Sequence, residues 1–210
     1  AEVVAIGAQV SHVQNGDLVV LSVRRPCTHA ECRPCRADQQ DYCSTQDYTE
    51  RGIKAAHGFM TEYVVEDEQY AYKLPWSLRD VGVLVEPLTI AEKGIAQAWL
   101  MQKRLPWGAP DAAYEERGRG LRAVVVGAGP VGLLGAMLLR ASGFETYVYS
   151  RSQAPNPKSA LVEAIGAHYI SSETTTAAQL ALQAGNIDLV YEAAGAPPIA
   201  FDVLNVLGTN

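Results

Sequence analysis

Apolar and polar positions alternate in blocks along residues 121–210. Residues 123–126 form a short, fully apolar run, which is typical of a buried parallel strand, and strand-like runs recur at 146–149, 168–170 and 187–191. Stretches with helical character separate them, at 130–142, 158–165 and 177–184. This β-α-β-α-β-α-β order predicts an α/β fold with a doubly wound parallel sheet, of which the sequence contains four strands.

The pattern upstream of this sheet predicts one long helix and one loop. Ser77 and Asp80 have the spacing of a capping box, so we expect a helix over 78–102 that Pro87 kinks. A kink there can aim the carboxylate of Glu86 into a cleft. The segment 104–120 is rich in proline, glycine and charged residues, which indicates a loop before the first strand of the sheet.

Composition and charge narrow the class of protein. The chain has 23 acidic and 17 basic residues, a net charge of −6, which argues against a nucleic-acid partner. No apolar run approaches the ~18–20 residues of a membrane span, so no membrane partner is expected either. The start, AEVVAIGAQV, lacks the layout of a signal peptide. We therefore expect a cytoplasmic protein with reduced thiols, which favours a metal over disulfides.

All four cysteines lie within one short segment. They are Cys27, Cys32, Cys35 and Cys43. A structural zinc ion takes four thiolates in a tetrahedron, and a Cys-x2-Cys turn places two sulfurs on one ion. We predict that these four residues bind one structural zinc, with Arg33 and Arg36 offsetting the charge of the site. A closed site of this kind stabilises a lobe and does no chemistry.

Three other interpretations of the cysteine segment stay open. The four residues can be plain reduced thiols in a loop. Cys32 and Cys35 can form a redox pair. His29 can replace Cys27 as a ligand, because the first spacing is wider than usual.

A glycine-rich turn follows the first predicted strand of the sheet. Gly127, Gly129 and Gly132 form G-x-G-x-x-G, which is typical of dinucleotide binding when a strand precedes it and a helix follows. The first glycine permits the tight turn, the second lets the backbone approach a pyrophosphate, and the third lets the helix pack closely. The alternative is a strand–helix turn without a ligand. The predicted cofactor-binding residues of this turn are Gly127, Ala128, Gly129, Pro130, Val131 and Gly132.

The end of the second strand indicates which dinucleotide binds. An NAD-binding fold places Asp or Glu about 20 residues past the glycines to accept the ribose hydroxyls. Here Ser150, Arg151 and Ser152 stand in that place. Arg151 can bind a 2′-phosphate with charge-assisted hydrogen bonds, so we predict NADP as cofactor, with NAD also possible.

These motifs, in their order, resemble one family. The clustered cysteines, HGFMTEY, VEPL and VVVGAGPVG are similar to those of the zinc-dependent medium-chain alcohol dehydrogenases, and ERGI…HGFM with LVEPLTIAEK most resemble glucose 1-dehydrogenases. The resemblance implies part of a GroES-like catalytic domain over 1–85 with a zinc lobe at 27–43, a linking helix and loop over 86–120, and an NAD(P)-binding Rossmann domain over 121–210. It also implies an internal piece of a longer chain, with the sheet cut after its fourth strand.

The resemblance further implies an activity and its residues. Members transfer hydride from C1 of an aldose, here glucose or a related polyol or alcohol, to NADP with the help of a catalytic zinc. Glu86 matches a ligand of that zinc, and Glu50 matches a carboxylate that holds a sugar hydroxyl. His57 can line the same cleft as a substrate-binding residue. Ile90 stands where some members have an aspartate, which weakens the transfer of glucose specificity. Relatives form homo-oligomers, either dimers or tetramers.

Blander interpretations of these residues remain. Glu50 can be a surface carboxylate and His57 a structural histidine beside Gly58. The whole protein can be a zinc-independent NADPH-dependent reductase of the same fold. It can also be a non-enzymatic nucleotide-binding or redox-sensing protein that uses Cys32 and Cys35.

Overall fold

Residues 1–105 and 112–208 are described by the computed structural model of the chain. The chain divides into two compact units, Ala1–Glu86 and Pro87–Asn210. The three-part division over 1–85, 86–120 and 121–210 stays a prediction. The middle of the predicted loop over 104–120, residues 106–111, lies outside the described residues.

The first unit is built from short strands and turns. Its strands and helix are β1 (Leu18–Leu21), β2 (Arg24–Arg25), α1 (Arg33–Arg36), β3 (Thr49–Arg51), β4 (Ala55–Ala56) and β5 (Ala71–Leu74). β1 pairs with β5 in an antiparallel direction. In a second sheet, the central strand β3 is antiparallel to β2 and parallel to β4. Its apolar core is small and is centred on Val13, Val19 and Ala71.

The second unit holds the predicted sheet. Its elements are α2 (Val85–Gln102, which starts in the first unit), β6 (Arg122–Val126), α3 (Pro130–Ala141), β7 (Glu145–Ser150), α4 (Pro157–Ala164), β8 (His168–Ser171), α5 (Ala177–Ala184), β9 (Leu189–Glu192) and α6 (Pro197–Leu204). The strands are all parallel in the order β8-β7-β6-β9. The predicted doubly wound parallel sheet of four strands is confirmed.

Both faces of this sheet are covered, as its continuous apolar strands require. Val125 packs in one core with Leu139 of α3, whereas its neighbour Val124 packs in the other with Leu180 of α5 and Val203 of α6. Successive side chains of a strand point to opposite faces, so one apolar run serves both cores. α4 and α5 each begin at a capping box, at Asn156 and Thr176.

The prediction for the long helix is wrong at its start. α2 begins at Val85, and two single-turn 3₁₀ helices, Trp76–Leu78 and Gly82–Leu84, precede it. Ser77 lies inside the first of these, so it does not cap α2. Pro87 falls in the first turn of α2, where a backbone N–H has no partner within the helix, so the proline is tolerated at the start and does not kink an interior. No helix among the described residues is long and apolar enough to cross a membrane.

Candidate functional site

The four cysteines converge in the first unit. Cys32 precedes α1, Cys35 lies within it, and Cys43 follows the 3₁₀ helix Gln40–Tyr42. Their Sγ atoms, with that of Cys27, all lie within 4.8 Å of one another. The cluster is the core of this segment, and the apolar side chain of Tyr48 packs against it.

The spacing of the sulfurs fits a tetrahedral ion. A tetrahedron with Zn–S bonds of about 2.3 Å has edges of about 3.8 Å, and the Sγ atoms of Cys32 and Cys43 are 3.9 Å apart. All four cysteines are buried free thiols. This set contains Cys27 and not His29, whose Nε2 lies 2.6 Å from a carboxylate oxygen of Asp47.

Hydroxyl groups around the cluster favour thiolates at two positions. The hydroxyl of Ser44 donates to Cys32 Sγ at 3.5 Å and lowers the pKa of that thiol. Thr45 Oγ1 lies 3.3 Å from Cys43 Sγ and lowers its pKa in the same way. Burial raises the pKa of Cys35. Because four thiolates this close repel one another, full ionisation requires a cation among them, and a soft four-sulfur donor set suits zinc.

The glycine-rich turn has the geometry that its motif predicts. Gly127 has a φ of +104°, in the region that favours glycine. Gly129 is the N-cap of α3, and a Cβ built on it would meet no atom within 4 Å. A Cβ on Gly132 would lie 2.1 Å from the carbonyl oxygen of Gly127. The three glycines thus serve the turn, an open approach and close packing.

The predicted cofactor loop lies beside this turn. β6 and β7 are adjacent and parallel, with Val126 paired to Tyr149, and the N–H of Gly127 donates to the carbonyl of Tyr149 at 2.8 Å. Ser150, Arg151 and Ser152 therefore follow at the same edge of the sheet as the glycines. Arg151 and Ser152 are exposed. The carboxyl ends of parallel strands at such a point are the usual place for a dinucleotide.

Glu50 is held by an arginine. Its Oε1 accepts hydrogen bonds from Nε and Nη2 of Arg24 at 2.8 and 2.6 Å, and its side chain is 14% exposed. Arg24 also pairs with Asp41 at 2.8 Å. The carboxyl group is therefore held in one orientation, and its role toward a substrate stays a prediction.

His57 lines a cavity in the first unit. The cavity has a volume of about 500 Å³, and Arg51, Thr61 and Tyr63 also line it. Next to His57, the backbone of Gly58 packs on Gly52: a Cβ on Gly58 would lie 3.0 Å from the Cα of Gly52. This contact is the physical reason for the paired glycines of ERGI…HGFM.

Glu86 lies in the first turn of α2 and is exposed. Its assignment as a catalytic zinc ligand stays a prediction.

An ionic network was missed by sequence reasoning. Glu66 Oε2 lies 2.6 Å from an Nη2 of both Arg25 and Arg51, and its side chain is 12% exposed. Burial acts to raise the pKa of Glu66, but the hydrogen bonds from the two arginines outweigh it and lower the pKa. Arg51 also lines the cavity, so the network fixes one of its walls.

Two family models match the chain in succession. The family described as alcohol dehydrogenase GroES-like domain matches residues 1–76, and that described as glucose dehydrogenase C-terminus matches residues 79–210. The glucose 1-dehydrogenase of Methanocella arvoryzae is 41% identical over 204 residues, which cover 97% of this chain and 54% of that protein. Glucose 1-dehydrogenase 1 of Vulcanisaeta moutnovskia is 38% identical over 211 residues, which cover 100% and 55%.

Solved structures share the architecture. The Haloferax mediterranei glucose dehydrogenase in complex with NADP, Zn and gluconolactone matches with a TM-score of 0.77 and 31% identity, over 94% of this chain and 53% of that one. The chain spans about half the length of the curated relatives that it matches. The predicted fold class, a GroES-like part followed by a Rossmann-type parallel sheet, is confirmed.

Proposed function

The chain belongs to the zinc-dependent medium-chain alcohol dehydrogenase family. On that premise we propose that the protein uses NADP to oxidise an aldose, with glucose as the first candidate, or a related polyol. The substrate loses hydride from C1 and a proton from its hydroxyl, and an aldose gives an aldonolactone. When bound, zinc supplies Lewis acidity at the substrate oxygen and NADP accepts the hydride.

The glycine-rich turn would hold the pyrophosphate of the cofactor. The open approach at Gly129 admits a phosphate to the backbone at the start of α3. The N-terminus of a twelve-residue helix favours negative charge. Arg151, next to this turn, would bind the 2′-phosphate, and Ser150 and Ser152 would add neutral hydrogen bonds.

The four cysteines would hold the structural zinc. Cys32 and Cys43, whose sulfurs lie beside the hydroxyls of Ser44 and Thr45, would be two of its ligands. Cys27 and Cys35 would complete the tetrahedron. Among the described residues, the apolar core of the lobe consists of these cysteines and Tyr48, so the ion would stabilise the lobe.

Three residues of the first unit would act on the substrate side. Glu86 would be a ligand of the catalytic zinc. Glu50, held by Arg24, would accept hydrogen bonds from sugar hydroxyls and fix the ring. His57, on the cavity wall, would contact the substrate. In this assignment Glu50 and His57 orient the sugar, and neither moves a proton.

The observation that most strongly supports this function is the position of Arg151 beside the glycine turn. An NAD-binding fold would have an aspartate or glutamate at this point. The test is steady-state kinetics of the full-length protein with NADP and with NAD. We expect a higher kcat/KM with NADP, and Arg151→Ala should raise KM for NADP roughly ten- to a hundred-fold, since the lost contacts are worth ~1.5–3 kcal/mol.

The matched control is Arg119→Ala. Arg119 is an exposed arginine of the same unit that pairs with Glu116, so its removal should change neither KM. A parent enzyme that uses NAD better, or an Arg151→Ala variant with unchanged NADP affinity, would contradict the proposal.

A further inference from the structure

We propose that Tyr169 and Ser171 of β8 are positioning residues for the cofactor. Their hydroxyls hold the backbone of residues 151–153 so that Arg151 is presented to the 2′-phosphate of NADP. The inference rests on the NADP site proposed above. It adds two residues that lie on a neighbouring strand and outside the motif.

The backbone carbonyls of four consecutive residues, 150–153, each accept a hydrogen bond. The donors lie on β8, directly after β8, or at Asn156. The N–H of Ser172 donates to Ser150 O at 2.9 Å. Ser171 Oγ donates to Arg151 O at 2.9 Å, and the Tyr169 hydroxyl donates to Ser152 O at 2.6 Å. The side chain of Asn156 donates to the carbonyl at 153 at 2.8 Å.

Both hydroxyls are themselves held in one orientation. Ser171 is 8% exposed, and its Oγ accepts a hydrogen bond from the N–H of Glu173 at 3.2 Å. The Tyr169 oxygen lies 3.4 Å from Nδ2 of Asn156, whose own Oδ1 caps α4. Because each hydroxyl has both a donor and an acceptor partner, its proton has a defined direction toward the loop carbonyl.

The held carbonyls determine where the loop presents its positive groups. Carbonyls that face β8 turn their negative ends away from a bound anion. In a planar trans peptide the next N–H points opposite to the carbonyl, so the N–H groups of Ser152 and the following residue point away from β8. β6, with its glycine-rich turn, lies on the opposite side of β7 from β8. The backbone that carries Arg151 is therefore already held in place before the cofactor binds, which lowers the entropy cost of binding.

The test is isothermal titration calorimetry of the full-length protein with adenosine 2′,5′-bisphosphate and with 5′-AMP. These probes differ only in the 2′-phosphate. Tyr169→Phe should weaken binding of the bisphosphate by about three- to tenfold, the loss of one hydrogen bond, and binding of 5′-AMP by less than about twofold. In an Arg151→Ala background, Tyr169→Phe should cause no further loss.

Tyr147→Phe is the matched control. Tyr147 lies on β7, and its hydroxyl donates to Glu145 at the other end of that strand at 2.6 Å, so this variant should leave both affinities unchanged. A second measurement follows hydrogen exchange at the amides of residues 151–153, which Tyr169→Phe should accelerate while Tyr147→Phe does not.

The outcomes separate the two proposals. If Arg151→Ala abolishes discrimination for the 2′-phosphate but Tyr169→Phe weakens both probes equally, or adds its full effect in the Arg151→Ala background, the positioning role is overturned and the NADP site stands. If Arg151→Ala leaves discrimination unchanged, the NADP site itself is wrong and the positioning role falls with it.

Discussion

Replacing Gly132 by alanine sets two effects against each other. Alanine is favoured over glycine inside a helix by about 1 kcal/mol, and Gly132 lies in the first turn of α3. The new Cβ, however, would lie 2.1 Å from the carbonyl oxygen of Gly127, and real Cβ contacts essentially never fall below 3.0 Å. The turn or the helix must therefore move by roughly 0.9 Å.

The contact is with backbone, which cannot swing aside as a flexible side chain does, and Gly132 is buried. Overpacking of this kind costs about 3 kcal/mol, so the net loss should be about 2 kcal/mol. For a domain of about 150–250 residues, that loss lowers the melting temperature by about 4–8 °C. Scanning calorimetry of the full-length protein, with urea denaturation as a second method, measures it.

Gly129→Ser is the matched control. Gly129 has the extended conformation of an N-cap and open space around its Cβ, and serine is preferred to glycine at that position. Its melting temperature should not fall. A rise in stability for Gly132→Ala would show that helix propensity outweighs the contact with Gly127. Equal losses of stability in the two variants would show that the start of α3 rejects any side chain. Either result refutes the reasoning.

Three further variants test the first unit. Cys32→Ser should remove one zinc per chain, by elemental analysis of the metal-replete protein, and should lower thermal stability; an unchanged zinc content would contradict the four-thiolate site. Glu66→Gln should cost about 1.5–3 kcal/mol at pH 7 by urea denaturation. Because the pKa of Glu66 is lowered, that stabilisation is present above the unfolded pKa of about 4.3. It is lost as the pH falls through the lower folded pKa, so the difference in stability between parent and variant should shrink once the pH drops below about 4.3; a constant difference would exclude the ionised carboxylate as its source. Glu86→Ala should lower kcat far more than it weakens NADP binding in calorimetry, and equal losses in the two would contradict its place at the catalytic zinc.

The sheet and the cysteine cluster could be predicted because their signals are local. Each of the four strands is a short run with strand character, and the glycines and cysteines stand at fixed spacings within short segments. The start of α2 could not be predicted in this way. Ser77 and Asp80 have the spacing of a cap, but the chain there forms two separate 3₁₀ turns, whose hydrogen bonds leave no periodic signal.

Contacts between distant residues were equally hidden. Glu66 and Arg25 are separated by 41 positions, and both are of the type that most often lies in solvent. The hydroxyls of Tyr169 and Ser171 reach the cofactor loop only because β8 pairs with β7 in one register, Ser171 opposite Ser150. A sequence alone does not specify that register.

The carbonyl bonds of residues 150–152 also bear on how a lineage changes its coenzyme. Every amino acid supplies a carbonyl, so the shape of this loop does not depend on which side chains stand at those three positions. Arg151 and Ser152 are exposed, and their replacement disturbs no core. If Arg151 binds the 2′-phosphate as proposed, an exchange of this arginine for an acid would move the enzyme from one reducing-equivalent pool of the cell to the other without rebuilding the loop. Coenzyme preference would then be, in this chain, an inexpensive trait to evolve and a practical one to engineer.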